Sequence, residues 1–200
     1  MNLNQLRQIQ PLLFSTSTVA ERMKISPSSA KVACHRYVKQ GILLRLKRDV
    51  YVLADRWERF GEQDVFVLAN RLQVPSYVSM TTALAYYEIT TQVQQSVVES
   101  VAVVRTTQVE VREKIFKYTK LKKNLYTGFI KKNGFFIATP EKAFLDGLYL
   151  MSMNRYRLDL SAIDQSKLDA RLLFRNAKTF PRKTRQLLKK YGSTKSARSF

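Results

Sequence analysis

The chain has 200 residues, enough for one large domain or two small ones. A hydrophobic content of 45% allows a real core and excludes wholesale disorder. Thirty-five Lys and Arg against fifteen Asp and Glu leave a net charge of +20, which favours polyanionic partners: nucleic acid or an anionic membrane face.

One cysteine, Cys34, and one histidine, His35, leave no internal disulfide, no Cys/His zinc site and no Cys/His or Ser/His nucleophile. No metal and no cofactor is expected. The first ten residues alternate polar and apolar and lack the apolar run of a signal peptide. Stretches such as Val101–Val104 and Phe135–Ala138 fall far short of the ~20 apolar residues of a membrane span. These features predict a soluble, cytoplasmic protein with no membrane partner. Charge is uneven along the chain: net +7 over residues 1–60, +3 over 61–150 and +10 over 151–200. A nearly balanced middle therefore lies between two basic ends.

Leu3, Leu6, Ile9 and Leu13 recur at helical steps and predict a first helix. One of Ser15–Ser17 can cap a second, from Thr18 to Met23. Ser26 and Pro27 suit the cap and first turn of a third helix, from Ser28 to about Gln40, with Gly41 ending it. Ile42–Leu46 and Val50–Leu53 read as two short strands joined by Lys47-Arg48-Asp49. This is the order of a winged helix-turn-helix. On the third helix Ala30, Cys34, Tyr37 and Val38 form the stripe expected to be buried, with Cys34 a small core residue. The opposite face carries Ser28, Ser29, Lys31, Val32, His35, Arg36 and Lys39. Small hydroxyls and long cations on one helix face suit a major groove, and Arg45, Lys47 and Arg48 on the wing suit a neighbouring phosphate or the minor groove. The alternative is a helical protein-interaction module whose cations keep it soluble; His35 is equally a DNA contact or a plain surface residue.

Trp57 to Leu72 continues as one connecting helix, and Val74–Val78 reads as a short strand. Ser79 is expected to cap the next helix, which carries Ala83, Leu84, Tyr86 and Tyr87. Val97–Val104 is β-branched and predicts a strand, Arg105–Gln108 its turn, and Lys114–Tyr118 a second strand; Val109–Glu113 is left unassigned. Phe129–Lys132 and Phe135–Ala138 form a hairpin around Asn133-Gly134. Thr139 caps a largely buried helix, with Pro140 at its first position and Glu141 facing the positive end of its dipole. Between Leu168 and Tyr191, apolar residues amid Arg171, Arg175, Arg182, Lys183, Arg185, Lys189 and Lys190 predict two basic amphipathic helices split near Pro181. Gly192–Phe200 is small, polar and basic. The expected fold is α+β: a winged helix-turn-helix (1–56), a connecting helix (57–73), a mixed α/β domain with a basic helical tail (74–191) and a flexible basic end (192–200).

With these motifs in order, the sequence resembles the AbiEi family of antitoxins, from bacterial type IV toxin–antitoxin systems of phage defence. The resemblance rests on Ile25-Ser26-Pro27-Ser28-Ser29-Ala30 leading to Gly41-Ile42-Leu43, and on Asp49-Val50-Tyr51-Val52. It continues through Val74-Pro75-Ser76-Tyr77-Val78-Ser79 with Ala83-Leu84, and Ile137-Ala138-Thr139-Pro140-Glu141-Lys142-Ala143 with Leu145-Asp146, covering about residues 10–190. Asp49 stands where the family's wing usually has glycine, so that turn should differ, and Tyr87-Glu88 replaces a frequent His-Gly. The resemblance implies a repressor of its own operon, bound to an inverted repeat in double-stranded DNA. It also implies that the C-terminal domain neutralises a nucleotidyltransferase-like toxin without a stable complex, with Ser79, Thr139, Pro140, Glu141, Lys142 and Asp146 as the motif of that domain.

An enzyme is not expected. A metal-dependent nucleotidyltransferase needs clustered carboxylates, which Glu110-Val111-Arg112-Glu113 and Asp159-Leu160 do not supply, and six glycines make no phosphate-binding loop. Glu141, Lys142 and Asp146 are read as cap, dipole partner and surface charge, with a small catalytic set as the alternative. The basic C-terminal helices are either a solvated face or a second nucleic-acid surface, and a protein- or RNA-interaction role without antitoxin activity is the competing view of that domain.

Overall fold

The structure, a computed structural model, describes residues 3–92 and 94–196, the side chains of residues 192–196 excepted. It is a mixed α+β protein that divides into two compact units, Met1–Leu68 and Ala69–Phe200.

In the first unit α1 (Leu3–Arg7) is followed by α2 (Thr16–Met23) and α3 (Pro27–Lys39), then the antiparallel strands β1 (Leu43–Lys47) and β2 (Val50–Leu53), and α4 (Ala54–Trp57). The first helix is shorter than its apolar spacing predicts, because Pro11 cannot continue a helix. Phe14 instead bridges Tyr51, donating to its carbonyl at 3.1 Å and accepting from its N–H at 2.9 Å. Ser15 and Thr18 make a reciprocal capping box at the start of α2. Ser26 caps α3 by accepting from the Ser29 N–H, and Gly41 follows the helix with φ +71°. Leu6, Phe14, Val19, Ala30, Ala33, Cys34, Tyr37, Leu43 and Leu53 form one buried cluster. Ala33 joins the stripe expected for α3, and Val38 lies half-buried at its edge.

The β1–β2 turn keeps the left-handed backbone that glycine would favour: Asp49 adopts φ +56°. Its Oδ1 accepts from the Thr16 N–H at 2.9 Å and the Thr16 hydroxyl at 2.7 Å, which ties the turn to the start of α2 and offsets the conformational cost.

The expected single connecting helix is broken. After α4 the chain turns through Phe60-Gly61 and restarts as α5 (Glu62–Leu72), where the Gly61 N–H donates to Asp64 Oδ2 at 3.1 Å. That carboxylate caps the new helix locally, and the boundary between the two units falls within α5.

The second unit holds β3 (Ser76–Val78), α6 (Met80–Tyr86), β4 (Val97–Ala102), β5 (Thr107–Val111), β6 (Lys114–Lys120), β7 (Phe129–Lys132), β8 (Phe135–Ala138), α7 (Pro140–Ser152), α8 (Ala170–Ala177) and α9 (Arg182–Ser196). Six strands form one mixed sheet in the order β5-β6-β4-β3-β8-β7. β3 runs antiparallel to β4 and parallel to β8, while β4 and β6 are parallel with Glu99 opposite Lys117. The stretch expected as a turn and an unassigned element is mostly strand β5, reversed by Arg112 at φ +50° into β6. The Asn133-Gly134 hairpin forms as read, both residues having positive φ.

α7 is the hub of this unit: every residue from Glu141 to Leu150 is buried. The C-terminal helices are part of its core rather than an appendage. Leu173, Ala177, Phe180, Thr184 and Leu188 are buried, Phe180 packs edge-on to Tyr149, and Thr184 Oγ1 lies 3.0 Å from Ser152 Oγ. α9 runs to Ser196, so residues 192–196, expected as a flexible end, are helical in backbone; residues 197–200 lie outside the described residues.

Removing the tether between the β1–β2 turn and α2 has a calculable effect. Asp49→Ala should cost about 1–2 kcal/mol, the usual worth of a capping interaction, read from urea denaturation. Asp49→Asn, which tolerates the left-handed backbone and keeps an acceptor, should cost less. The backbone and then the hydroxyl hydrogen bond from Thr16 hold the Asp49 carboxyl below the ordinary aspartate range. The Asp49→Ala deficit should therefore persist at neutral pH and close only as the pH falls through that lowered value.

Candidate nucleic-acid interface

The α3 face opposite the core is continuous and polar. Ser28, Ser29, Lys31, His35, Arg36 and Lys39 are exposed, and Val32 stands among them 69% exposed. The helical period sets this division, since Ala30, Ala33, Cys34 and Tyr37 occupy the inward positions. The Arg36 guanidinium lies 5.6 Å from the Tyr37 ring centroid. Arg45, Lys47 and Arg48 are exposed on the hairpin that follows. All ten residues singled out in the first unit are thus on its surface. Cys34 is fully buried; that burial pushes its thiol up to about 11, Asp49 adding to it, which suits a core residue and not a redox-active one.

The motif residues of the second unit converge, but not at the surface. Asp146 is 0% and Lys142 2% exposed, and they form a buried ion pair one helical turn apart on α7. Asp146 Oδ2 accepts from the Ser79 hydroxyl at 2.8 Å and from the Tyr77 hydroxyl at 3.0 Å. Burial pushes the Asp146 carboxyl up, against the opposing pull of Lys142, Ser79 and Tyr77. Burial and then Asp146 push the Tyr77 phenol up as well. The Lys142 ammonium also lies over the Tyr77 and Phe180 rings, at 5.5 and 5.2 Å. A Cβ added at Gly128 would meet the Lys142 stem at 3.1 Å, so the backbone there closes over the lysine.

These positions revise two expectations. Glu141, Lys142 and Asp146 are not surface charges: Glu141 is buried too, and its Oε1 accepts from the Asp169 N–H at 3.1 Å, at the start of α8. Ser79 makes no side-chain cap to α6, because its hydroxyl is committed to Asp146. The Thr81 N–H is met instead by Glu99 Oε2 at 3.1 Å, a role that no local spacing announced. Thr139 and Pro140 do hold the cap and first position of α7 as read, Thr139 accepting from the Lys142 N–H.

The cations of the C-terminal helices, Arg171, Arg175, Arg182, Lys183, Arg185, Lys189 and Lys190, are all exposed, while Leu173, Ala177 and Leu188 are buried and Phe174 stands exposed. Among the described residues no group of His, Cys, Asp and Glu is placed to hold a metal ion, and no helix is long and apolar enough to cross a membrane.

Residues 2–54, which take in α1 through β2, match the family of transcriptional regulators described as AbiEi antitoxins, and the resemblance read from the sequence holds over that segment. None of the curated proteins compared with the chain matches it.

The buried pair makes a sharp stability prediction. Lys142→Met leaves the Asp146 charge uncompensated and should cost about 3–5 kcal/mol in denaturant unfolding of the second unit. Converting both members together, Lys142→Met with Asp146→Leu, should recover a large part of that loss. Recovery would mark the pair as a structural element.

Proposed function

We propose that this chain, whose N-terminal segment matches the AbiEi antitoxin regulators, is a DNA-binding repressor of its own toxin–antitoxin operon and that its second unit neutralises the cognate toxin. The observation that carries the DNA-binding half is the outward face of α3 beside the basic hairpin. α2 and α3 are the helix-turn-helix, with α3 entering the major groove and β1–β2 as the wing. Lys31, Arg36 and Lys39 anchor the helix on phosphates and guanine edges. Ser28, Ser29 and His35 add short-range hydrogen bonds. A valine as exposed as Val32, set among cations, suits contact with a thymine methyl group. Arg45, Lys47 and Arg48 fix the register on the sugar–phosphate backbone.

The operator reading is an inverted repeat in the promoter, bound as two half-sites. Antitoxin action belongs to the second unit, where Lys142 and Asp146 are sealed inside and serve its packing. The type IV assignment, with a nucleotidyltransferase-like toxin countered without a stable complex, follows the family resemblance.

Electrophoretic mobility shifts at fixed salt test the first half. Lys31→Ala or Arg36→Ala should each cost about 1–3 kcal/mol of operator binding, and neutralising Arg45, Lys47 and Arg48 should weaken all sequences alike and flatten the salt dependence. Unchanged affinity in both single variants would reject α3 as the recognition helix. The second half predicts that a Lys31→Ala/Arg36→Ala chain, expressed from an independent promoter, still relieves toxicity of the neighbouring gene product. Deleting α8 and α9 is not a clean test, because Phe180, Thr184 and Leu188 fill the core around α7.

A further inference from the structure

The second unit carries an open polar cleft of about 500 Å³ that neither half of the proposed function uses. Its floor is the β4–β6 face, where Glu99 and Lys117 are cross-strand partners. Its wall is the loop after α7, with Arg155, Tyr156 and Arg157, and its rim is Met80 at the start of α6.

Glu99 is 5% exposed, a buried carboxylate at the floor of an open cleft. Oε2 accepts from the Tyr156 hydroxyl at 2.7 Å and the Thr81 N–H at 3.1 Å, and Tyr156 is itself fixed by Thr81 Oγ1 at 2.6 Å. The Thr82 backbone N–H and the Lys117 charge also act on this carboxylate. Lys117, whose charge already acts on Glu99, lines the cleft together with Arg155 and Arg157, three cations beside one fixed acidic group. Cations that merely solubilised the surface would have no reason to line one cleft together with a buried carboxylate. The backbone around the cleft is held in an uncommon conformation at two points, Met80 at φ +53° and Asn154 at φ +55°. For methionine, buried here, that is a strained choice of the kind that gathers at ligand sites.

The chemistry limits the ligand. A bare phosphate or sulfate would be drawn to the cations and repelled by Glu99. The cleft asks for an anion that also presents hydrogen-bond donors, and the volume suits a small organic ligand. A ribonucleotide meets both demands: an acidic side chain recognises ribose hydroxyls, and arginine forks recognise phosphate oxygens. We infer that this cleft binds a ribonucleotide, its ribose hydroxyls donating to Glu99 and its phosphates held by Lys117, Arg155 and Arg157. The ribonucleotide is either free or the terminal residue of an RNA, and the two sources present the same groups to the cleft. The inference does not depend on the DNA-binding reading.

Calorimetric titration of the full chain with ADP, 2′-deoxy-ADP, pyrophosphate and a 5′-phosphorylated RNA decamer tests it. The Lys31→Ala/Arg36→Ala background is used throughout, so that the basic face of α3 contributes little. ADP should bind, 2′-deoxy-ADP at least fivefold more weakly and pyrophosphate more weakly still. RNA binding without ADP binding, lost in the same variants, identifies the source as an RNA end and supports the site. Glu99→Gln should weaken ADP about tenfold while leaving pyrophosphate unchanged or tighter, and Arg155→Ala/Arg157→Ala should weaken both. The arginines are exposed, so that second variant keeps the native fold even if Glu99→Gln lowers the urea midpoint. No binding of either ribonucleotide form, equal binding of ADP and pyrophosphate, or ADP binding indifferent to the arginine pair would each overturn the inference.

Discussion

Asp146 is a carboxylate with no access to water, and such a group persists in a protein interior only when its charge and lone pairs are answered. Its partners come from three places: Lys142 from the same helix, Tyr77 from β3 and Ser79 from the turn into α6. Satisfying one buried charge therefore ties the parallel pairing of β3 and β8 to the helix that follows β8. Tyr77 carries a further share, because its ring stacks on Phe129 at 4.6 Å while its hydroxyl meets the carboxylate. The arrangement favours specificity over raw stability, since a buried ion pair gains little over apolar residues of the same shape but penalises any packing that separates its members.

The consequences spread to the neighbouring elements. With the Ser79 hydroxyl committed to Asp146, the start of α6 has no cap of its own, and the Thr81 N–H is met from β4 by Glu99. Met80, between the two anchored residues, takes the left-handed backbone. Glu99 is drawn into the interior by that hydrogen bond and by Tyr156, and its burial raises its carboxyl pKa. The polar cleft at the β4–β6 face is thus shaped by the same packing that satisfies Asp146. Glu141, on the other side of α7, receives the first N–H ahead of α8, so the Glu-Lys pair of the Thr-Pro-Glu-Lys-Ala segment places two elements at once.

The first unit works differently. Its core is apolar, its ends are capped locally by Ser15 and Ser26, and its long-range polar contacts, Asp49 with Thr16 and Arg56 with the carbonyls of Arg7 and Pro11 among them, lie at the surface. Such a unit can vary its surface freely, and the α3 face uses that freedom to gather hydroxyls, cations and one exposed valine. Asp49 illustrates the exchange: the residue loses glycine's ease in a left-handed turn and gains two hydrogen bonds that hold the β1–β2 turn against α2.

What the sequence determined by itself is whatever depends on near neighbours. The caps Ser15, Ser26 and Thr139, Pro27 and Pro140 at helix starts, the Asn133-Gly134 hairpin and the division of α3 into buried and exposed faces all follow from spacing within a turn or two. What only the tertiary structure decided is where charged and polar groups go when their partners are tens of residues away. Ser79 reads as a cap until Asp146, 67 residues on, claims its hydroxyl; Glu141, Lys142 and Asp146 read as surface charge until β3, α6 and α8 close over them. Glu99 carries no local signal at all, because its role is fixed by Tyr156 from a distant loop and Lys117 from the paired strand. The physical reason is one of scale. Backbone hydrogen bonding and amphipathic period act over a few residues, whereas desolvating a charge is settled by every group that reaches it in space.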